Sequence, residues 1–150
     1  LAAFDSEVIT LSGRPAISSE HVYGLRLRVA RWRVGVAGTP LLFLNGIGAD
    51  LTAAAPLLAQ IHGREVWTLD MPGVGGSPDA ILPYGAPTIA AVVMEIADRL
   101  GHDIVDIAGF SWGGALAQQI AIQFPGRVGR LVLMATTPVM GAPGIGAPGG

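Results

Sequence analysis

Residues 109–113 read Gly-Phe-Ser-Trp-Gly, between the apolar run Ile-Val-Asp-Ile-Ala at 104–108 and an amphipathic stretch over 112–124. A strand that turns sharply into a helix at such a serine lifts its hydroxyl above the edge of a sheet. Glycines two places before and after it let neighbouring backbone pass close by. Gly114 extends the same freedom to the helix–strand contact. The pattern alone is weak, because Gly and Ser are common residues. Its place between a strand and a helix makes it specific. Ser111 is therefore the candidate nucleophile, and a tight turn without chemistry is the alternative.

Acyl transfer by a serine also needs N–H donors for the oxyanion of the tetrahedral intermediate, and a base for the serine proton. The residue after the nucleophile supplies one donor, which assigns the backbone N–H of Trp112. The second is expected from the turn Leu-Asn-Gly-Ile-Gly-Ala at 44–49, with Ile47 as the donor, Gly46 and Gly48 bending the turn and Asn45 bracing it. The alternative is a plain strand-to-helix turn.

The base is harder to find. His21, His62 and His102 all precede Ser111, and no His, Asp or Glu follows it. His62 and His102 are expected at the N-terminal edge of the sheet. One strand of about 17 Å would then separate them from the serine, whereas proton transfer needs about 3 Å. All three are predicted to be surface histidines. The chain is accordingly expected to lack the base and to be the N-terminal part of a longer enzyme, with roughly 100 further residues.

The stretch Asp-Met-Pro-Gly-Val-Gly-Gly-Ser at 70–77 is rich in glycine, but no Lys follows and Pro72 interrupts it. It matches neither phosphate-loop nor dinucleotide-binding spacing. Asp70 is predicted to be structural, hydrogen-bonding loop backbone. No cofactor and no metal are expected, and the absence of cysteine excludes disulfides, thiolate metal sites and a cysteine nucleophile.

The elements that must hold these residues follow from patterning. Leu25, Leu27 and Val29 alternate with arginines in a hairpin around Gly24, and the arginines between 26 and 33 are predicted to form a solvated strand face. Strands are expected at 40–44, 65–70, 104–110 and 130–136. Helices are expected over 51–61, with Pro56 in its first turn or kinking it, over 87–100, capped by Gly101, and over 112–124. Strand and helix alternate, which predicts an α/β fold with a mostly parallel sheet and helices on both faces. Its outer strand, ending near 136, would be left as an unpaired edge. The Gly/Pro-rich tail after 137 is expected to be a loop.

With 150 residues, 51% of them hydrophobic, one domain with a sizeable core is expected. A net charge of −2 gives no electrostatic case for nucleic acid or an anionic membrane surface. No segment reads as a secretion signal or a membrane span, so a cytoplasmic protein is the expectation.

Three blocks, Pro-Leu-Leu-Phe-Leu-Asn-Gly-Ile-Gly-Ala at 40–49, Asp-Met-Pro-Gly-Val-Gly-Gly-Ser-Pro at 70–78 and Ser-Trp-Gly-Gly-Ala-Leu-Ala-Gln-Gln at 111–119, resemble the α/β-hydrolase superfamily. More narrowly they resemble the intracellular depolymerases of medium-chain-length polyhydroxyalkanoate. Asn45, where many relatives carry His, and Trp112 after the serine favour that group, and the likeness runs over about residues 22–140. It implies an α/β-hydrolase fold incomplete at its C-terminus, with residues 1–150 as the N-terminal part of one catalytic domain and the lid and last strands absent. It further implies a Ser–Asp–His triad, of which Ser111 alone carries over, and an acyl-serine intermediate formed on ester bonds between 3-hydroxyacyl units. The partner is then an ester or polyester substrate, at a polymer granule surface. The alternatives are a small-molecule carboxylesterase, thioesterase or cofactor-free haloperoxidase on the same scaffold, and a truncated, inactive granule-binding protein.

Overall fold

The computed structural model describes residues 13–46, 48–72 and 85–136. Among them are six strands, β1 (Ala16–Val22), β2 (Leu25–Trp32), β3 (Leu41–Leu44), β4 (Val66–Leu69), β5 (Val105–Phe110) and β6 (Val128–Met134). Three helices connect them: α1 (Leu51–Ala59), α2 (Ala86–Arg99) and α3 (Trp112–Gln123). The sheet order is β1-β2-β4-β3-β5-β6. β4, β3, β5 and β6 run parallel, while β2 is antiparallel to both β1 and β4.

The alternating apolar residues of the sheet divide the core in two. Leu42, Leu44, Trp67 and Ile107 face α2 and α3, while Phe43, Val66 and Ala108 face α1. β3 and β4 are short, almost wholly apolar runs because both of their faces are covered, as parallel strands require. The helices on both faces are those the strand–helix alternation predicts.

Local signals behave as their chemistry demands. Tyr23 (φ 48°) and Gly24 (φ 77°) form the two-residue turn of the β1–β2 hairpin, both left-handed as a type I′ turn needs. α2 ends at Gly101 (φ 79°), with Gly101 N–H donating to Asp98 O and His102 N–H to Ala97 O, the two bonds of a Schellman cap. β6 begins two residues before the predicted strand. It lies at the sheet edge, with Leu131, Val132 and Leu133 exposed.

Of the two places open to Pro56, the first turn is excluded: it lies inside α1, and its ring is exposed, so the missing N–H removes one helical bond without a burial cost. Two expectations need correction. The arginines between 26 and 33 are only in part a solvated face: Arg26 is exposed, but Arg28 pairs with Asp70 at 2.7 Å and Arg31 with Glu65 at 2.6 Å, and Arg33, just past β2, donates to the Leu58, Ala59 and Arg64 carbonyls around the end of α1. β2 is flanked on both sides, and the acids that bracket β4 reach Arg28 and Arg31. Finally, His21 and His62 are exposed as predicted, but His102 is not. Its side chain, 9% exposed, touches the Glu65 carboxylate and tilts against Trp67. Burial holds its pKa below the ordinary histidine value, against the opposing pull of Glu65.

Candidate active site

β5 passes into α3 at Ser111, whose backbone is φ 55°, ψ −118°. That left-handed conformation is costly for a residue with a Cβ, about 1–3 kcal/mol, and persists only where its surroundings impose it. Here the surroundings are backbone. A Cβ on Gly109 would lie 2.4 Å from Gly113 O, and one on Gly113 would lie 2.0 Å from Leu44 O and 2.5 Å from Asn45 O. A Cβ on Gly114 would lie 2.5 Å from the Cβ of Thr136. These three glycines let the start of α3 press against the ends of β3 and β5 and against Thr136 just past β6, which forces the bend. The bend is closed by Ser111 N–H donating to Met134 O at 2.9 Å.

Ser111 occupies the N-cap position of α3, yet its hydroxyl makes no capping bond. At the matching position of α1, Asp50 does cap, accepting from Thr52 N–H at 3.0 Å. A serine placed for helix stability would cap. Ser111 is instead exposed at the C-terminal edge of the sheet. Trp112 is the first helical residue, so its N–H has no acceptor within the helix and sits in the favourable field of the helix N-terminus.

The segment after β3 lies directly beside this serine. A Cβ on Gly46 would be 3.5 Å from Ser111 Cβ and 3.5 Å from the Phe110 ring. Gly48 adopts φ 77°, Ala49 N–H donates to Gly46 O at 3.3 Å, and the Asn45 side-chain amide donates to Asp50 O at 3.1 Å. The bracing predicted for Asn45 is therefore present. Ile47, the expected second donor, lies outside the described residues, as do most of the 70–77 loop and the tail after 136.

A cavity of about 390 Å³ opens at Ser111, lined by Phe43, Asn45, Gly46, Ala49, Ala53, Ala54, Leu57 and Phe110. It is mostly apolar, and no acid or histidine is among the described residues that line it. Its residues come from β3, the turn after it, one face of α1 and the end of β5, and the fold brings these together. A larger cavity of about 550 Å³, lined in part by Arg31, Glu65 and His102, opens at the N-terminal end of the parallel strands. It holds no serine and lies at the other end of β5 from Ser111. The three histidines are thus not gathered at the serine. His102 precedes β5, and His62 follows α1 at the same end of the sheet.

Asp70 has a structural place, and one backbone group it holds lies outside the 70–77 loop, most of which is outside the described residues. It is fully buried and accepts the N–H of Leu51, the first residue of α1, at 2.8 Å.

Comparison with known proteins shows what the chain is similar to. The chain is 46% identical over 99 residues to the poly(3-hydroxyalkanoate) depolymerase of Ectopseudomonas oleovorans, covering 65% of this chain and 35% of that protein. It is 42% identical over 106 residues to the 2-hydroxy-6-oxo-2,4-heptadienoate hydrolase of Pseudomonas putida, covering 65% and 37%. The chain thus spans little more than a third of either relative's length. Among solved structures, a bacterial membrane phospholipase A superposes with a TM-score of 0.75 at 28% identity, over 90% of this chain and 44% of that one. The naproxen esterase of Bacillus subtilis superposes with a TM-score of 0.74 at 21% identity, over 83% and 45%, a likeness of fold alone. The alpha/beta hydrolase fold family matches residues 39–144, a span that contains the bend at Ser111 and the Gly46 segment facing it, and the chain belongs to that family.

Proposed function

We propose that the protein carrying this chain hydrolyses ester bonds through an acyl-enzyme on Ser111. The observation that carries this reading is the strained, non-capping Ser111 held against the Gly46 segment. In the reaction, Ser111 Oγ attacks the ester carbonyl carbon and passes its proton to a histidine base. The carbonyl oxygen becomes an oxyanion, held by the N–H of Trp112 and that of Ile47. Collapse expels the alcohol, which takes the proton from the histidine, and water then releases the acid from the serine by the same steps in reverse. His21, His62 and His102 do not serve as the base, and the base and its acid come from outside these 150 residues.

The substrate we propose is a poly(3-hydroxyalkanoate) chain. The 46% identity to a depolymerase supports it, and so does the apolar cavity beside Ser111, which suits an alkyl arm. A second reading, a hydrolase of small molecules, is favoured by the 42% identity to the heptadienoate hydrolase. Assay of the gene product that carries these residues separates the two. Suspended polyester granules and soluble p-nitrophenyl alkanoates are both expected to be cleaved, and Ser111→Ala is expected to remove both activities with the fold intact. Cleavage of soluble esters alone would favour the second reading. Granule binding without turnover would favour the inactive binding protein. A full rate in Ser111→Ala would overturn the mechanism.

A further inference from the structure

Asp70, which opens the 70–77 motif, has no part in the proposed chemistry. It directly follows β4, is 0% exposed, and directs its two carboxylate oxygens at different targets. Oδ2 accepts from Arg28 Nε at 2.8 Å and lies 2.7 Å from Nη2 of the same guanidinium, and Oδ1 accepts from Leu51 N–H at 2.8 Å. Arg28 lies opposite Asp70 across the β2–β4 pair, and Asp70 N–H returns a bond to Arg28 O at 2.9 Å.

Leu51 is the first residue of α1, and its N–H is among the donors that a helix leaves unsatisfied. The usual remedy, the N-cap side chain, is already spent on Thr52. α1 therefore begins under two carboxylates, its own Asp50 and the remote Asp70. The six residues between β3 and α1 include the Gly46 segment that faces Ser111. One end of that connection is fixed by β3, and the other is fixed by Asp70 through Leu51. The Asn45-to-Asp50 bond draws the two ends together. A buried carboxylate is tolerated only when paired, and Arg28 pairs it through two nitrogens.

We propose that Asp70 and Arg28 are positioning residues for the reaction at Ser111, holding Gly46 and the start of α1 at the distance from Ser111 that the transition state requires. The inference rests on the serine-hydrolase reading above and adds two residues that touch no substrate. Its consequence is specific. Loosening the clamp shifts the Gly46 backbone relative to Ser111, an alignment that matters in the transition state, so kcat falls while KM stays.

The test compares Asp70→Asn and Arg28→Lys with Asp106→Asn in the gene product that carries these residues. Asp106 is a matched control. It is also buried, with one oxygen on Arg64 at 2.6 Å and the other on Arg130 N–H at 2.7 Å, but it stands near the start of β5, at the end of the sheet remote from Ser111. Steady-state rates are measured at a temperature where circular dichroism shows each variant folded. Asp70→Asn is expected to lower kcat by about 10- to 100-fold, and Arg28→Lys by a smaller factor, with KM within about threefold of wild type. Asp106→Asn is expected to destabilise without changing kcat. If Asp70→Asn does not fold, Arg28→Lys decides. Unchanged kcat in the folded clamp variants, or an equal loss in Asp106→Asn, overturns the inference while leaving the serine mechanism standing. Activity surviving in Ser111→Ala would instead remove the reading on which the inference rests.

Discussion

Replacing Gly113 with alanine tests whether close backbone contact sets the elbow. Helix propensity alone favours alanine over glycine by about 1 kcal/mol in a helix interior. Against that, the added Cβ would meet Leu44 O at 2.0 Å, Leu44 C at 2.5 Å and Asn45 O at 2.5 Å. All three are backbone atoms of β3 and its exit, and no rotamer change relieves them. Reaching an ordinary 3.4 Å contact requires α3 and β3 to separate by about 1.4 Å along that vector. Overpacking of this kind costs about 3 kcal/mol, which outweighs the propensity gain and leaves a net loss of about 2 kcal/mol. The same shift carries Ser111 away from Gly46, and a misplacement of about 1 Å is worth on the order of 100-fold in rate. Urea unfolding gives the stability change and ester hydrolysis gives kcat/KM. Gly126→Ala is the control, because its Cβ meets nothing within 4 Å and its backbone is not left-handed, so its effect is expected within about 0.5 kcal/mol. A Gly113→Ala protein as stable and active as wild type would refute the account of the bend.

Three further outcomes are expected. Ser111→Gly should be more stable than Ser111→Ala by about 1–2 kcal/mol, because glycine relieves the φ 55° strain that alanine keeps, and both should be inactive; equal unfolding midpoints would argue that the bend is unstrained. Tyr23→Asn should stabilise the hairpin by about 0.5–1 kcal/mol, since asparagine suits the left-handed first position of a type I′ turn and the tyrosine ring is 71% exposed; calorimetry reads the sign. His102 contributes to the pH dependence. Burial first, and Arg31 as well, depress its pKa below 6.5, while Glu65 pulls it up. The unfolded chain therefore binds the proton more readily than the fold does, so stability present above about pH 6.5 falls as the pH drops through that value toward the folded pKa. His102→Gln should flatten the slope between about pH 7 and 5, and an unchanged slope would show that His102 does not set it.

The parts of the fold that depend on neighbours in sequence are readable without coordinates. Strand–helix alternation, the Tyr23-Gly24 turn, the Gly101 cap and the bend at Ser111 all rest on local periodicity or on residues with special backbone freedom. Contacts that depend on strand register are not. Arg28 lies opposite Asp70 only because β2 inserts antiparallel beside β4, so two arginines of a row that reads as a solvated face, Arg28 and Arg31, become paired ions. The burial of His102 depends on register in the same way, since its partners Glu65 and Trp67 lie at the start of β4, more than thirty residues earlier. The candidate nucleophile was legible because a strained serine needs its glycines next to it. Of the cavity lining, Asn45, Gly46 and Ala49 belong to a turn that was legible, whereas Ala53, Ala54 and Leu57 of α1 join Phe43 and Phe110 only through the fold.

The central claim is that Ser111 is a nucleophile poised by its bend. The most direct measurement treats the gene product carrying these residues with a fluorophosphonate and locates the adduct by peptide mass spectrometry. The account predicts one phosphonyl group on the peptide containing Ser111, blocked by prior incubation with an ester substrate and absent from Ser111→Ala. An enzyme that hydrolyses esters while this peptide stays unmodified, or one labelled at a different serine, would contradict it.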